Sequence, residues 1–267
     1  MTRSQCDVYF YSPFQDTGNR PLLIFLPGLN ETGQGLMSRQ MASLEAKFDI
    51  RCLVIPPKDL DDWDLIAKST VALVEALVST KERPVYLCGE SFGGCLALEM
   101  LANSPNLFEK AILINPASSL PRIPWLNFGS LFFPLTPEWV YHYSAWLTLP
   151  FLAHTDKISS QACQDLADTI RCTSKKTAQK RIAMMRDFTI DESQLKQVTQ
   201  PILLIGSRED LILPSVEEVE RLAKIFPQAT VVTLPSSGHA CLVEPDINLY
   251  QIMEASNFLV EPELFKL

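Results

Sequence analysis

Short apolar runs alternate with helical patterns along most of this sequence, and that alternation limits the folds open to the chain. The apolar runs are rich in Val, Ile and Leu and have the length of strands buried on both faces. Strands that alternate with helices predict a mostly parallel sheet with helices on both of its faces. The predicted strands are Pro21–Pro27, Asp49–Pro56, Pro84–Cys88, Phe108–Pro116, Pro201–Gly206 and Ala229–Leu234.

The stretches between these runs place apolar residues at helical spacing. The predicted helices are Gln34–Phe48, Asp64–Thr80, Gly93–Ala102, Ser215–Phe226 and Pro245–Leu259. Ser215 is expected to cap its helix, because Glu217 and Glu218 follow in the first turn. The alternation breaks over residues 117–199, which contain prolines, aromatics and helical stretches. No Gly/Ser-rich linker flanks this block, so we predict a single α/β domain over residues 1–267 with a helical lid inserted at 117–199.

Composition excludes several classes of function. The 31 acidic and 23 basic side chains give a formal charge of −8, which argues against a nucleic-acid partner. The 7 cysteines form no Cys-x-x-Cys pair, so no metal site is expected. Cys52, Cys88 and Cys95 fall within apolar runs and are predicted to be buried in a reducing compartment. The sequence contains no secretory signal and no membrane-spanning run, which predicts a cytoplasmic protein.

The segment Gly89-Glu90-Ser91-Phe92-Gly93 carries the strongest chemical signal. It matches Gly-x-Ser-x-Gly and lies between a predicted strand and a predicted helix, where a serine is held on a sharp turn. Side chains at Gly89 and Gly93 would collide with that turn. We therefore predict Ser91 as a nucleophile. Dehalogenases and epoxide hydrolases that use this turn would need aspartate at position 91. The serine there excludes both activities.

A nucleophilic serine needs a base and an acid that orients the base. His239 follows the last predicted strand, and Asp210 follows the strand Pro201–Gly206, so the chain order is Ser, Asp, His. Glu209 is the neighbouring alternative to Asp210. His142 and His154 lie in the inserted block and have no evident acid partner.

Two backbone N–H groups are expected to stabilise a developing oxyanion. One is that of Phe92, directly after the nucleophile, and the other is that of Leu29, after the strand Pro21–Pro27 and the turn at Gly28. The same loop lacks the Lys-Ser/Thr of a phosphate-binding loop, which excludes a nucleotide site. The proposed chemistry needs no metal and no organic cofactor.

The inserted block is unusually aromatic. Its aromatic side chains are Trp125, Phe128, Phe132, Phe133, Trp139, Tyr141, Tyr143, Trp146 and Phe151. An apolar lid favours a lipid-like substrate and a peripheral contact with a membrane, although the same residues could simply pack the lid onto the sheet. A basic cluster follows, which we interpret as a solvated helix face, with a contact to anionic lipid head groups as the alternative. Its members are Lys175, Lys176, Lys180, Arg181 and Arg186.

Several segments together resemble the esterase/lipase/thioesterase portion of the phytyl ester synthase (diacylglycerol acyltransferase-like) family of α/β-hydrolases. They are PLLIFLPGLNETGQG, PVYLCGESFGGCLALEMLA, ILINPASS, PILLIGSREDLILPS and LPSSGHACLVEPDINL. The resemblance implies the α/β-hydrolase fold and carries over Ser91, Asp210 and His239 as a catalytic triad. Members of that family esterify phytol or diacylglycerol.

The acyltransferase motif His-x-x-x-x-Asp of that family does not occur in this sequence. We therefore expect a serine hydrolase that cleaves an ester or thioester of a hydrophobic lipid through an acyl-enzyme on Ser91. Acyl transfer to a long-chain alcohol such as phytol, and a non-catalytic scaffold that binds a lipid or a protein, are the alternatives.

Overall fold

The described part of the chain folds around a seven-stranded sheet whose strand order is β1-β3-β2-β4-β5-β6-β7. The structure is a computed structural model that describes residues 6–13, 20–29, 34–57, 62–79, 83–124, 128, 131 and 135–259. All neighbouring strands are parallel except β1, which pairs antiparallel with β3 at the sheet edge. The strands are β1 (Tyr9–Tyr11), β2 (Leu22–Leu26), β3 (Asp49–Val54), β4 (Val85–Glu90), β5 (Lys110–Ile114), β6 (Ile202–Ser207) and β7 (Ala229–Leu234).

The central strands are buried because helices cover both faces of the sheet. Every residue of β2, β4 and β6 is buried. On one face the core includes side chains from α2 (Trp63–Ser79), α3 (Phe92–Asn103) and α8 (Ser215–Ala223). On the other it includes side chains from α1 (Gln34–Leu44) and α9 (Leu249–Ala255). The prediction of an α/β sheet with helices on both faces is confirmed.

Between β5 and β6, the described part of the chain is helical. A 3-10 turn spans Ala117–Arg122, and the helices are α4 (Glu138–Leu152), α5 (Ser160–Cys172), α6 (Lys175–Arg186) and α7 (Glu192–Leu195). The end of α4 packs on the loop after β7, where Ala240 N donates a hydrogen bond to Leu152 O at 2.7 Å. Buried side chains of α4 and α5 form a small core with Ala240 and Val243. The inserted helices therefore lie beside the loop that carries His239.

Several predicted details differ from the structure. The short edge strand β1 was not predicted, because three residues are too few to show the alternation of apolar and polar side chains that identifies a strand. Helix α9 begins at Leu249 rather than Pro245, and the Asn248 side chain caps it by accepting from Gln251 N at 3.1 Å. Ser215 is the first residue of α8 and not its cap, since its hydroxyl bonds elsewhere.

Cys52, Cys88 and Cys95 are buried, as predicted. Burial raises the pKa of the Cys52 thiol to about 12 and that of Cys88 further still, so these thiols stay protonated. Within the described ranges, no helix is long and apolar enough to cross a membrane.

Three separate loops lie together at the carboxyl-terminal end of the parallel strands. Parallel strands β4, β6 and β7 all end there, at Glu90, Ser207 and Leu234. Ligand and catalytic sites of open α/β sheets lie at the carboxyl ends of the strands. The loops that follow these strands carry Ser91, Asp210 and His239.

Candidate active site

Ser91 occupies the turn between β4 and α3 in a strained backbone conformation, with φ 52° and ψ −112°. Few non-glycine residues adopt a positive φ, and such strain persists only where the surroundings enforce it. Here Ser91 N donates to Ile114 O at 3.0 Å, and Ser91 O accepts from Gly94 N at 2.9 Å and Ala117 N at 3.0 Å. Ser91 is the N-cap residue of α3, yet its hydroxyl makes no capping bond. The hydroxyl is therefore available for another partner.

Gly89 and Gly93 allow the turn to pack against its neighbours. A Cβ built on Gly93 would lie 2.0 Å from Leu26 O, and one on Gly89 would lie 2.4 Å from Gly93 O. Backbone atoms at such distances cannot move aside without shifting a strand. These close approaches give the physical reason for glycine at both positions of the motif.

The structure brings Ser91, His239 and Asp210 into one hydrogen-bonded chain. His239 Nε2 lies 3.0 Å from Ser91 Oγ, and His239 Nδ1 lies 2.7 Å from Asp210 Oδ2. Asp210 Oδ1 accepts from the backbone N–H groups of Ile212 and Leu213, and Asp210 Oδ2 also accepts from Ser215 Oγ at 2.5 Å. The carboxylate is thus held in place by donors on both of its oxygens.

The alternative residues lie in other arrangements. Glu209 Oε2 is 2.6 Å from His154 Nε2, so these two side chains pair with each other. His154, for which the sequence suggested no acid partner, therefore has one. The side chain of His142 lies outside the described part of the structure.

The electrostatics of the site favour an ionised Asp210 beside a basic His239. Burial raises the pKa of Asp210, but the charge of His239 and hydrogen bonds from His239, Ser215 and Leu213 outweigh it, leaving the pKa below its ordinary value. Burial lowers the pKa of His239, but the charge and hydrogen bond of Asp210 outweigh it and leave the pKa above its ordinary value. The pair suits a base that takes a proton from Ser91.

Glu90 is a second buried carboxyl group near the imidazole. Burial raises the pKa of Glu90 to about 7, against the attraction of His239, which lowers it. Its Oε2 atom has no hydrogen-bond partner among the described residues. No sequence pattern predicts a buried acid here, because the residue between Gly89 and Ser91 can be of any type in the motif.

The two predicted oxyanion donors lie close to the nucleophile in the chain fold. Phe92 is the first residue of α3, where backbone N–H groups have no carbonyl of their own helix to bond. Leu29 is one residue beyond Gly28, and a Cβ built on Gly28 would lie 3.5 Å from Ser91 Cβ. A distance of 3.5 Å is an ordinary van der Waals contact, so a side chain at position 28 would not collide with Ser91. The loop that carries Leu29 therefore lies beside the nucleophile.

Sequence reasoning missed two residues that support the site. Asn115, at a positive φ of 44°, accepts from Ser207 N at 2.8 Å and donates through Nδ2 to His239 O at 2.7 Å. Ser215, expected as a helix cap, instead holds Asp210. Neither contact has a sequence signal, since each joins residues from different loops.

The basic cluster on α6 is only partly a solvated face. Arg181 is fully buried, which contradicts the prediction for that residue. Arg186 pairs with Asp187 at 2.6 Å, and Lys176 is exposed. The helix turns Arg181 inward because neighbouring buried residues Thr177, Ala178, Met184 and Met185 share its inner side.

The inserted aromatics divide between buried and exposed positions. Tyr141 is buried, and its hydroxyl donates to Thr173 O at 2.9 Å. Phe128, Trp139, Trp146 and Phe151 are exposed. Trp125, Phe132 and Phe133 and the side chain of Tyr143 lie outside the described residues.

No group of three or more His, Cys, Asp or Glu side chains within the described part of the chain could hold a metal ion.

Comparison with known proteins finds relatives that match most of this chain. Phytyl ester synthase 2 of Arabidopsis thaliana is 28% identical over 93% of this chain and 40% of its own length, so the chain spans about two fifths of that relative. The pimeloyl-[acyl-carrier protein] methyl ester esterase of Nitrosomonas europaea is 25% identical over 85% of this chain and 91% of its own. The solved structure of a thermophilic esterase from Thermogutta terrifontis superposes with a TM-score of 0.75 at 18% identity, covering 94% of this chain and 92% of the other.

The model of the alpha/beta hydrolase family matches residues 23–247, which include β2 from its second residue, the strands β3 to β7, Ser91, Asp210 and His239. With the strand order, the turn at Ser91 and the hydrogen-bonded chain at the sheet edge, this match establishes that the protein belongs to the alpha/beta hydrolase family and is a hydrolase-type enzyme.

Proposed function

We propose that this protein is a serine hydrolase that cleaves a carboxylic ester or thioester of a hydrophobic acyl or prenyl lipid through an acyl-enzyme on Ser91. The observation that carries the proposal is the chain Ser91 Oγ, His239, Asp210, with contacts of 3.0 Å and 2.7 Å. Groups at these distances can pass a proton from the hydroxyl to the imidazole without rearrangement.

The residues have separate roles in the proposed reaction. His239 Nε2 takes the proton of Ser91 Oγ as the oxygen attacks the carbonyl carbon, and Asp210 stabilises the imidazolium that forms. The N–H groups of Leu29 and Phe92 stabilise the tetrahedral oxyanion. His239 then gives its proton to the leaving alcohol or thiol. Water, deprotonated by His239, attacks the acyl-enzyme, the bond between the acyl carbon and Ser91 Oγ breaks, and His239 returns its proton to Ser91 Oγ as the acid leaves.

The proposed substrate class follows from the inserted helices. Residues on α4, including Trp139, Trp146, Leu147 and Phe151, expose large apolar side chains. The same helix packs through Leu152 on the His239 loop. We interpret residues 117–199 as a lid whose apolar surface delivers a lipid-like substrate to the site. Peripheral contact of that surface with a membrane belongs to the same proposal.

Acyl transfer to a long-chain alcohol is the second candidate. It is favoured by the likeness to phytyl ester synthase 2, whose name describes ester synthesis. The two reactions share the acyl-enzyme and differ in whether water or an alcohol resolves it. The likeness covers only part of that relative, so hydrolysis is our first choice.

The decisive experiment compares wild type with Ser91→Ala on acyl p-nitrophenyl esters, acyl-CoA and phytyl esters, with and without free phytol, and identifies products by mass. We expect wild type to release acid, and Ser91→Ala to lose at least about 10³-fold in kcat. Ser236→Ala is the control, because Ser236 is exposed near the same loop.

Phytyl ester formed from added phytol would favour the transferase. Equal behaviour of Ser91→Ala and wild type on every substrate would contradict both reactions and leave the non-catalytic scaffold.

A further inference from the structure

Arg181 is among the largest fully buried side chains in the protein, although it lies on a helix inserted between β5 and β6. A buried guanidinium is costly unless the protein provides contacts for its charge. Two of its contacts are with the residues around the nucleophile. Arg181 Nη1 donates to Gly28 O at 2.6 Å, and its guanidinium carbon lies 5.1 Å from the centre of the Phe92 ring.

The contact with Gly28 acts on one predicted oxyanion donor. The carbonyl of Gly28 and the N–H of Leu29 belong to the same peptide unit, and in a planar trans peptide the two point in opposite directions. A cation bound to the oxygen therefore fixes the direction of the N–H. It also polarises the peptide, which makes that N–H a stronger donor.

The contact with Phe92 acts on the other donor. Phe92 is fully buried, and its ring also packs against Trp63 at 4.5 Å between centroids. A guanidinium above an aromatic ring is attracted by the electrons of the ring. Arg181 thus contacts Phe92 directly and contacts the carbonyl of the peptide unit that carries the Leu29 N–H.

We propose that Arg181 is a positioning residue that orients the oxyanion hole from the inserted helix α6. The inference rests on the proposed function, because an oxyanion forms only if Ser91 attacks a carbonyl. Arg181 acts through the peptide of Gly28 and Leu29 and through Phe92, without touching the substrate. Helix α6 thereby contributes to transition-state stabilisation across 153 positions of sequence.

The test measures kcat and KM of Arg181→Met and Arg181→Lys on p-nitrophenyl butyrate, together with inhibition by an alkyl trifluoromethyl ketone. The ketone forms a tetrahedral adduct on the serine and so reports on the oxyanion hole. We expect Arg181→Met to lower kcat by about 10²-fold, the effect of losing one oxyanion donor, with KM changed less than about threefold. Inhibition by the ketone should weaken in parallel with kcat/KM.

Arg181→Lys keeps the charge but lacks the planar group that can bond a carbonyl and stack on a ring together, so we expect a loss of about tenfold in kcat. Arg186→Met is the matched control, since Arg186 lies on the same helix and pairs with Asp187 outside the site. It should retain the wild-type kcat. Thermal unfolding of each variant identifies any loss that comes from unfolded protein.

The outcomes separate the two proposals. If Ser91→Ala is inactive while Arg181→Met retains kcat and ketone affinity within about threefold of wild type, the role of Arg181 is wrong and the proposed function stands. If Ser91→Ala is as active as wild type, both are wrong. If Arg181→Met does not fold, an unchanged kcat in Arg181→Lys overturns the inference.

Discussion

At the scale of single residues, Glu90 connects the pH dependence of stability to the active site. Its carboxyl is buried, and burial raises its pKa from 4.5 to about 7. The nearby His239 has a smaller effect in the opposite direction. Between these two pH values the folded protein binds a proton that the unfolded chain releases. Stability contributed by the protonated group is therefore present below about pH 4.5 and is lost as the pH rises through about 7.

Glu90→Gln should remove this loss, because glutamine carries no charge at any pH. The quantity of interest is the free energy of unfolding of the variant minus that of wild type. We expect this difference to rise by up to about 3 kcal/mol when the pH is raised from 5 to 8. Urea unfolding at both pH values measures it, with Glu75→Gln, an exposed position, as the control. A difference that does not change with pH would contradict the buried-acid interpretation.

At the scale of elements, Glu218 joins helix α8 to the turn that leads into the inserted helices. The side chain is buried and accepts hydrogen bonds from Ser118 and Arg122 of the turn Ala117–Arg122. Arg221, one turn further along α8, binds it at 2.9 and 3.0 Å. Burial raises the pKa of Glu218, but the hydrogen bonds of Arg221 and Ser118 outweigh it, so the group stays ionised.

Glu218→Ala removes the acceptor that Ser118, Arg122 and Arg221 share, while Arg221 keeps its ion pair with Glu192. We expect the free energy of unfolding to fall by about 3 kcal/mol, as for other broken buried ion pairs. Glu217→Ala is the matched control on the same helix, because Glu217 is exposed, and its effect should stay within about 0.5 kcal/mol. Chemical denaturation of both variants checks the prediction, and equal losses in the two would exclude a structural role for the cluster.

At the scale of the whole molecule, α4 exposes several large apolar side chains, and its last residue bonds to the loop that carries His239. Trp139 is 67% and Phe151 53% exposed, far more than large apolar residues of the core. Exposed groups of this kind mark contacts with a partner or a lipid surface. In the proposed function the surface meets lipid aggregates, from which a substrate would enter the site.

The double change Trp139→Ser with Phe151→Ser should weaken binding to phosphatidylcholine vesicles by about tenfold or more, because two aromatic side chains no longer leave water. Vesicle sedimentation measures the bound fraction. Tyr9→Ser, at an exposed aromatic on the edge strand β1, is the control and should bind as wild type does. Wild type that does not bind the vesicles would refute the membrane part of the proposal.

Much of this architecture was determined by the sequence alone, because its signals are local. Apolar runs of strand length, separated by helical spacing, specify a parallel sheet whatever the loops contain. Glycines 89 and 93 around Ser91 specify a tight turn, since no side chain fits there. Asp210 and His239 could be named as candidate partners because each follows a strand in the right chain order.

Only the tertiary structure decided which side chains meet, because such contacts join residues that are far apart in sequence. His239 and Ser91 are 148 positions apart, and of the two neighbouring acids Asp210 lies against His239 while Glu209 lies against His154. The Ser215 hydroxyl binds Asp210 instead of capping its helix, and Arg181 lies buried against Gly28 instead of in solvent. Helical spacing shows that a face exists, but burial depends on what packs against that face, and this is set by the fold as a whole.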